Sequence, residues 1–567
     1  MTESQVVVIC MLEKEIKAKI IEKIFTDSKG FLNPVDLEKK YPPRELKEGA
    51  MVTRVAPSPT GPMHIGTLYM SLISERFAHQ TDGVFFLRIE DTDKKREVAG
   101  ATELITKALD FYGINVDEGQ NAQGVEKGEY GPYTQSKRMV LYQTYIKYLL
   151  EKDLAYPCFC TTEELEAVNK EQELQKFRPG YYGKWIKCRG LNGEEVLKML
   201  ENSKSFVIRF KSHGNFENKI KVVDLLKGER ELSENDQDIV IRKSDGLPTY
   251  HFAHLVDDHL MRTTCVLRGD EWLSSLPLHL QLFETMGWQV PQYGHISPIQ
   301  KLDGTSKRKL SKRKDPEANV NYYEEQGYPP EAVIEYLLNL ANSDFEDWRK
   351  ANQYKSIEEF KLTFKKLAHS NGPLFDFNKL NDISKEVIAK FSAEKVYEYV
   401  FKWAEKYDQE LEGLIKNQAE YSKKIFNIER SNSGGEKKRK DIAKWSDVKN
   451  EVIYFFDDKF NLKKDEAMSL LFEMNVEDIK AIVSSFLNNY KDTNSKDEWL
   501  AMMRKICVDN GYAETGKIFK SEPEKYKGHL ADVAKVFRVL LTGKTQTPDL
   551  YEIMQVMEGD RVRHRLI

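Results

Sequence analysis

The chain is short of cysteine. Six in 567 residues cannot build the disulfide framework of a secreted scaffold, and a reducing cytoplasm fits best. It has no long apolar run. Nothing approaches the roughly 18 consecutive apolar residues of a membrane span. The stretch Val6–Leu12 passes directly into the charged Glu13–Lys19, so neither a membrane partner nor a secretory leader is expected. Excess charge is small too. The 86 basic and 90 acidic residues leave a formal net charge of -4, which excludes a chain that coats nucleic acid indiscriminately. Local basic faces stay compatible, because attraction to phosphate is screened within about 8 Å at physiological salt. What is present is a globular composition, 40% hydrophobic and 31% charged, in a length that suits about three or four domains.

Residues 1–50 read as a charged, helix-prone leader in which Ile16, Ile20, Ile21 and Ile24 recur at helical spacing. Tyr41-Pro42-Pro43 breaks it. A short strand signal, Met51–Ala56, runs into the turn Pro57–Pro62, and a helical pattern follows through Phe77. Val84–Ile89 reads as a second strand that stops at Glu90–Asp93. This alternation predicts a parallel sheet covered by helices, with ligands at the carboxyl ends of the strands. Residues 155–235 interrupt the pattern, which is read as resuming with Ile239–Arg242 and Thr264–Leu267. From about residue 320 the pattern is mostly helical. Ser431–Gly435 followed by Lys437–Lys440 reads as a flexible basic surface loop.

Two segments carry chemistry. In Pro57-Ser58-Pro59-Thr60-Gly61-Pro62-Met63-His64-Ile65-Gly66 a histidine and a glycine open a helix after a strand and a tight turn. Free backbone N–H groups at a helix start attract a nucleotide phosphate, and glycine permits close approach. The plainer reading is a turn with a capping histidine. In Lys307-Arg308-Lys309-Leu310-Ser311-Lys312-Arg313-Lys314 six of eight residues are basic. Alone this is a basic surface or RNA-contact loop; beside the first segment its lysines suit a triphosphate whose negative charge grows in the transition state.

Together the segments resemble the bacterial-type glutamyl-tRNA synthetases, a class I aminoacyl-tRNA synthetase family. The two signatures of that family stand here as His64-Ile65-Gly66-Thr67 and Lys309-Leu310-Ser311-Lys312-Arg313. Between them, in the family's order, lie Arg88–Asp93, Asp245–Ala253, Val256–His259 and Arg268–Trp272. Phe537–Gly543 is similar to the end of the family's anticodon-binding domain. The resemblance covers about residue 51 to 567 and implies an α/β fold: a Rossmann-like catalytic domain with an inserted α+β subdomain, then a mostly helical anticodon-binding region. The domain plan is 1–50 extension, 51–154 and 236–300 catalytic halves, 155–235 acceptor-binding insertion, 301–385 linker with the lysine loop, and 386–567 anticodon-binding domain.

The resemblance also implies a reaction. Glutamate and ATP, with Mg²⁺, give glutamyl-adenylate, and glutamate then passes to the 3′-terminal adenosine of tRNA(Glu). It implies that ATP–pyrophosphate exchange needs tRNA. Arg54 and Arg268 match the arginines that hold glutamate, a task for which the planar guanidinium fork is suited. Glu90 matches the acidic group on the substrate amine, and Ala56, Ser58 and Tyr250 match further contacts. His64, Gly66, Lys309, Ser311 and Lys312 match positions at the ATP and its transferring phosphate, and Glu271 and Trp272 adjoin it. The chain departs from the family at Tyr69 and Met70, where an arginine and a threonine are usual, and at His254, where an asparagine is usual. Histidine there would bring titration near neutrality into the site.

Cys158, Cys160 and Cys188 supply three thiolates where structural zinc wants four ligands. Some family members complete the set with a tyrosine or histidine next to the third cysteine. No histidine is near, and Tyr181 and Tyr182 lie further off than that spacing, so Zn²⁺ and three free thiols both stay open. Cys10, Cys265 and Cys507 read as isolated. Trp403, Trp445, Arg538, Arg561 and Arg563 can serve tRNA or merely the fold. A monomer is expected. Two other readings remain: a non-discriminating ligase that also charges tRNA(Gln), and a catalytically silent tRNA-binding paralogue, which would be expected to have lost His64, Lys312 or the arginine pair.

Overall fold

The computed structural model describes residues 3–26, 30–367, 372–430, 438–492 and 495–566, with side chains except at 3–12 and 464. The chain divides into two compact units, Met1–Asn321 with Leu337–Phe375, and Tyr322–Tyr336 with Asp376–Ile567. No helix among the described residues is long and apolar enough to cross a membrane.

The leader is α1 (Glu3–Ile24) and α2 (Pro34–Lys40), the latter capped by the Asn33 side chain. Its apolar face is used. Ile24, Phe25, Leu37 and Tyr41 join the core of the first unit, and Ile16 packs over Gly193 of the insertion. Its charges bind both catalytic halves. Arg44 forks onto Glu118 at 2.7 and 2.8 Å, and Glu38 meets His259 and Arg262 at 2.6 and 2.7 Å. A segment with no function legible in its sequence is thus a strap over the catalytic unit.

β1 (Val52–Val55) and β2 (Val84–Leu87) pair in parallel, joined by α3 (Ile65–His79). Their residues are almost all buried, as expected of a strand with helices on both faces. Gly83 is required at the entry to β2, since a Cβ there would lie 2.0 Å from the Met51 carbonyl oxygen. α4 (Ala101–Phe111) and α5 (Met139–Glu151) follow. The insertion contributes β3 (Ala155–Cys158), then β4 (Val207–Phe210), then the hairpin β5 (Lys219–Asp224) and β6 (Gly228–Ser233), then β7 (Val240–Arg242).

Two of these pieces differ from the sequence expectation. β7, read as the resumption of the parallel alternation, pairs antiparallel with β4 beside β3. The hairpin, read as part of the interruption, extends the parallel sheet instead. That sheet consists of β8 (Cys265–Gly269) and β9 (Gln292–Ile296) in parallel, with β5 against β9 through Asp224 and Tyr293. In the order β8–β9–β5–β6, β5 is an inner strand with one face covered: Val222 and Asp224 are buried while their neighbours Lys221 and Val223 are exposed. Thr264 ties β8 to β1 by two hydrogen bonds with Val52.

The second unit is helical. Its core gathers Val400, Trp445, Phe455, Phe486, Phe537 and Val562. The helix Leu530–Thr542 stops at Gly543 in the left-handed region. Several residues read as candidate tRNA contacts serve this fold. Trp445 is core, Arg561 pairs with Asp457 at 2.8 Å, and Arg563 donates to the carbonyls of Leu487 and Tyr490. Trp403 donates to the Glu325 carbonyl. In the loop read as basic and exposed, residues 431–437 lie outside the described residues. Arg439 is buried, held by Asp441 and the Ile425 carbonyl.

Candidate active site

The carboxyl ends of the parallel strands deliver the site, as their direction requires. β1 carries Arg54 just before its last residue and leads to Ala56 and Ser58; Glu90 follows β2; Arg268 lies near the end of β8. All five line one cleft of about 910 Å³. Tyr250, first residue of α6 (Tyr250–Leu260), closes another wall, and Glu271 and Trp272 follow from the turn after β8. The Trp272 and Tyr250 rings lie 4.2 Å apart, so Trp272 is a cleft wall rather than core packing.

Behind the cleft lies a buried charge network of which the sequence disclosed the residues but not the roles. Arg88 contacts Glu90 at 3.0 Å and Asp258 at 2.6 Å. Arg54 lies 3.4 Å from Asp258, and Arg138 donates to Asp257 at 2.6 Å. Burial raises the Glu90 carboxyl, against the pull of Arg88 and Arg54. Asp258 is held well below the usual carboxylate range: burial opposes this, and the Arg88 charge prevails.

His254 does not meet the expectation of a substrate contact. It is fully buried, outside the cleft lining, with its ring stacked 5.7 Å behind Tyr250. It faces Asp258 at 2.9 Å and the Tyr293 hydroxyl at 3.3 Å. Burial pushes it down to about 4, so it does not titrate near neutrality. Tyr69 also points into the core, whereas Met70 lines the cleft.

The two signature segments meet. His64 caps α3, its Nδ1 accepting from the Gly66 amide at 2.9 Å. A Cβ at Gly66 would stand 3.0 Å from that Nδ1, so the glycine also makes room for the cap. The plainer reading of the histidine, a helix cap, is what this bond shows. Burial, then the charges of Lys312 and Lys309, press His64 down to about 4. The lysines follow a hairpin of β10 (Gln300–Asp303) and β11 (Ser306–Lys309). Lys312 reaches across to the Pro62 carbonyl, and Lys309 lies 3.7 Å from Glu271 in the cleft. The loop is braced rather than loose: Arg308 forks onto Asp315 at 2.6 and 2.8 Å, and Asp315 accepts from the Ser311 amide.

In the insertion the sulfurs of Cys158, Cys160 and Cys188 lie within 4.8 Å of one another. The sequence spacing set Tyr181 aside, yet its hydroxyl lies 3.6 Å from the Cys158 sulfur and 3.4 Å from that of Cys160. The chain doubles back between Tyr181 and Cys188, so distance along it misleads. Sulfurs on a tetrahedral zinc stand about 3.8 Å apart, and the Cys160–Cys188 separation is 3.6 Å. The four groups fit that ion. Cys265 and Cys507 are buried and isolated from this cluster, and the Cys10 side chain lies outside those described.

Known proteins share this organisation. Residues 50–382 match the catalytic domain of the tRNA synthetases class I (E and Q), and residues 420–567 match an anticodon binding domain. A glutamate–tRNA ligase of Clostridium perfringens (strain 13 / Type A) is 50% identical over 527 residues, 93% of this chain and 96% of that one. The glutamate–tRNA ligase of Sorangium cellulosum (strain So ce56) is 43% identical over 561 residues, 94% of this chain and 97% of the other. The crystal structure of a glutamate tRNA ligase from Elizabethkingia meningosepticum in complex with its amino acid superposes with a TM-score of 0.72 at 27% identity, covering 91% of this chain and 98% of that one. With a catalytic-domain match across more than half its length and such relatives along nearly all of it, the chain belongs to the class I tRNA synthetases of the E and Q group.

Proposed function

We propose that the chain is a glutamate–tRNA ligase. A carboxylate oxygen of L-glutamate attacks the α-phosphorus of ATP, pyrophosphate leaves, and the 3′-terminal ribose hydroxyl of tRNA(Glu) then takes the glutamyl group and releases AMP. The observation that carries this reading is a single cleft lined by Arg54, Arg268 and Glu90 with the lysine loop at its edge. Two guanidinium groups suit two carboxylates, and one carboxylate suits an ammonium. In this reading Arg54 and Arg268 hold glutamate, Glu90 its amine, and Ala56, Ser58 and Tyr250 its orientation. Glu271 and Trp272 adjoin the nucleotide. ATP enters as its Mg²⁺ complex. The His64–Gly66 helix start, Lys309, Ser311 and Lys312 take the phosphates, with Lys312 following charge as it grows on the leaving pyrophosphate.

Cys158, Cys160, Cys188 and Tyr181 would hold one Zn²⁺, which stabilises the insertion and takes no part in a step. Metal analysis of the purified protein should give one equivalent; its absence from active protein sinks the zinc assignment. The protein works as a cytoplasmic monomer in this reading, and light scattering should return the chain mass of 65.9 kDa. The test of function is charging of separate, purified tRNA(Glu) and tRNA(Gln) with radiolabelled glutamate. Charging of tRNA(Glu) alone is expected. Charging of both would make the enzyme non-discriminating, and charging of neither by folded protein with ATP–Mg²⁺ would leave a silent paralogue.

A further inference from the structure

We propose that Arg268 is positioned by neutral imidazoles, those of His279 and His295, and that this brace keeps its charge free to distinguish a carboxylate from a carboxamide. The inference rests on the reading of the cleft as a glutamate site. His279 belongs to α7 (Leu276–Met286) and His295 to β9. Both are fully buried, and neither matches a signature segment.

Arginine has five N–H donors. In Arg268 the Nε donates to His295 Nε2 at 2.9 Å, Nη1 to His279 Nδ1 at 3.0 Å, and Nη2 to the Trp272 carbonyl at 3.3 Å. One N–H on each terminal nitrogen remains, the pair a bidentate carboxylate needs. Among the described residues no carboxylate forms an ion pair with Arg268, although the residue is only 5% exposed and its guanidinium lies 4.8 Å from the Tyr293 ring. Arg54 is the contrast, with Asp258 at 3.4 Å. Of the three arginines lining the cleft, Arg54 and Arg96 have carboxylate partners, Arg96 meeting Asp93 at 2.6 Å, and among the described residues Arg268 alone is held entirely by neutral acceptors.

An imidazole nitrogen accepts only when unprotonated, so these bonds fix the tautomers. The His295 proton sits on Nδ1 and goes to Asp224 Oδ2 at 2.6 Å. Asp224 also accepts from the amides of Leu226 and Lys227 at 2.9 and 2.8 Å. The His279 proton sits on Nε2 and goes to His251 Nδ1 at 3.0 Å. Burial first, with the Arg268 charge among the further causes, presses both imidazoles below their ordinary value. A carboxylate in place of either would hold the guanidinium as firmly and cancel its charge. The difference matters for glutamine, which offers the same shape without the negative charge.

The experiment is an isosteric pair. Asparagine places its Oδ1 where His279 Nδ1 accepts, and aspartate places a charged oxygen there. Glutamate and glutamine are compared as substrates in aminoacylation of tRNA(Glu), after circular dichroism has shown each variant folded. H279N should keep the glutamate KM within about threefold of wild type, because an acceptor is retained. H279D should raise that KM about tenfold or more with kcat little changed, and lower the glutamate-over-glutamine ratio of kcat/KM by about tenfold or more. H279L, which removes the acceptor without adding charge, should raise the KM and serves if H279D does not fold. A second pair, H295Q and H295E, places the same groups at His295 Nε2. Equal KM and equal substrate ratio in the neutral and charged variants would overturn the brace. A wild-type protein that charges no glutamate would instead overturn the ligase reading.

Discussion

The unit that holds the cleft buries Arg54, Arg88, Arg138 and Arg268 together with Glu90, Asp224, Asp257 and Asp258, and three histidines besides. Among the described residues of the helical unit, the charged side chains buried to that degree are Glu335 and Arg439. The helical unit folds around apolar residues and capped helices, a sufficient recipe for stability. Burying a charge costs free energy, and a buried ion pair is weak support for a fold. The concentration of charge behind one cleft is therefore a mark of recognition chemistry.

The largest effects should come from the buried arginines. Arg88→Leu strands Asp258 and Glu90 without their nearest cation and should destabilise the catalytic unit by about 3–5 kcal/mol. Arg439→Leu leaves the half-exposed Asp441 behind and should cost the helical unit about 1–3 kcal/mol, with the glutamate KM unchanged. Denaturant unfolding beside steady-state kinetics reads both. Equal stability loss, or an altered KM in the Arg439 variant, would erase the contrast. Next comes Lys312→Ala, expected to lower kcat on the order of 10²-fold as a transition-state contact is lost. Lys307→Ala, in the same basic run, should leave kcat near wild type; parity between the two would mean the run acts only as diffuse charge.

These contrasts bear on what a sequence can disclose. That Arg54, Glu90, Tyr250 and Arg268 line one cleft was legible because each lies inside a local motif at a strand end or helix start. His279, His295 and Asp224 were not, since each is an isolated residue on a separate element and only the sheet brings them to Arg268. Tyr181 was hidden by a loop that shortens the distance its spacing suggests. The parallel alternation gave the architecture, but β5 and β7 exchanged roles because sheet membership depends on pairing partners that local patterning leaves open. In the helical unit periodicity marked helices well and said nothing of which tryptophans and arginines the core would claim.

Within the catalytic unit, acidification should act at a smaller scale. Native His254 stays neutral down to about pH 4, whereas an unfolded histidine titrates near 6.5. The unfolded state thus binds the proton first, so stability falls as pH drops from about 6.5 towards 4, with His254 contributing on the order of 2 kcal/mol by pH 5. His79 has the opposite sign. Its hydrogen bond to Asp117 raises it to about 9, so its contribution is full below about 6.5 and disappears as pH rises through 9. Denaturation midpoints at pH 5, 7 and 9 check both limbs, and His254→Asn should flatten the acid one. An unchanged slope in that variant removes His254 as its source.

The smallest effect isolates what a helix cap is for. In the helical unit Ser495 and Glu498 form a reciprocal box at the start of Lys496–Asp509, with bonds of 3.3 and 2.7 Å. Ser495→Ala should cost about 1 kcal/mol and leave aminoacylation untouched, because among the described residues that hydroxyl serves only the helix's own Glu498 amide. In the catalytic unit His64 occupies the equivalent position on α3, yet serine or asparagine would cap at least as well. In the proposed function the imidazole there, partly buried beside two lysines, meets the phosphates as well as the helix. His64→Asn should therefore hold the melting temperature within a few degrees, as expected for a change under about 1 kcal/mol, while kcat collapses. If His64→Asn melts early and its activity follows the folded fraction alone, the histidine is a cap like Ser495, and the phosphates must be held by the lysines without it.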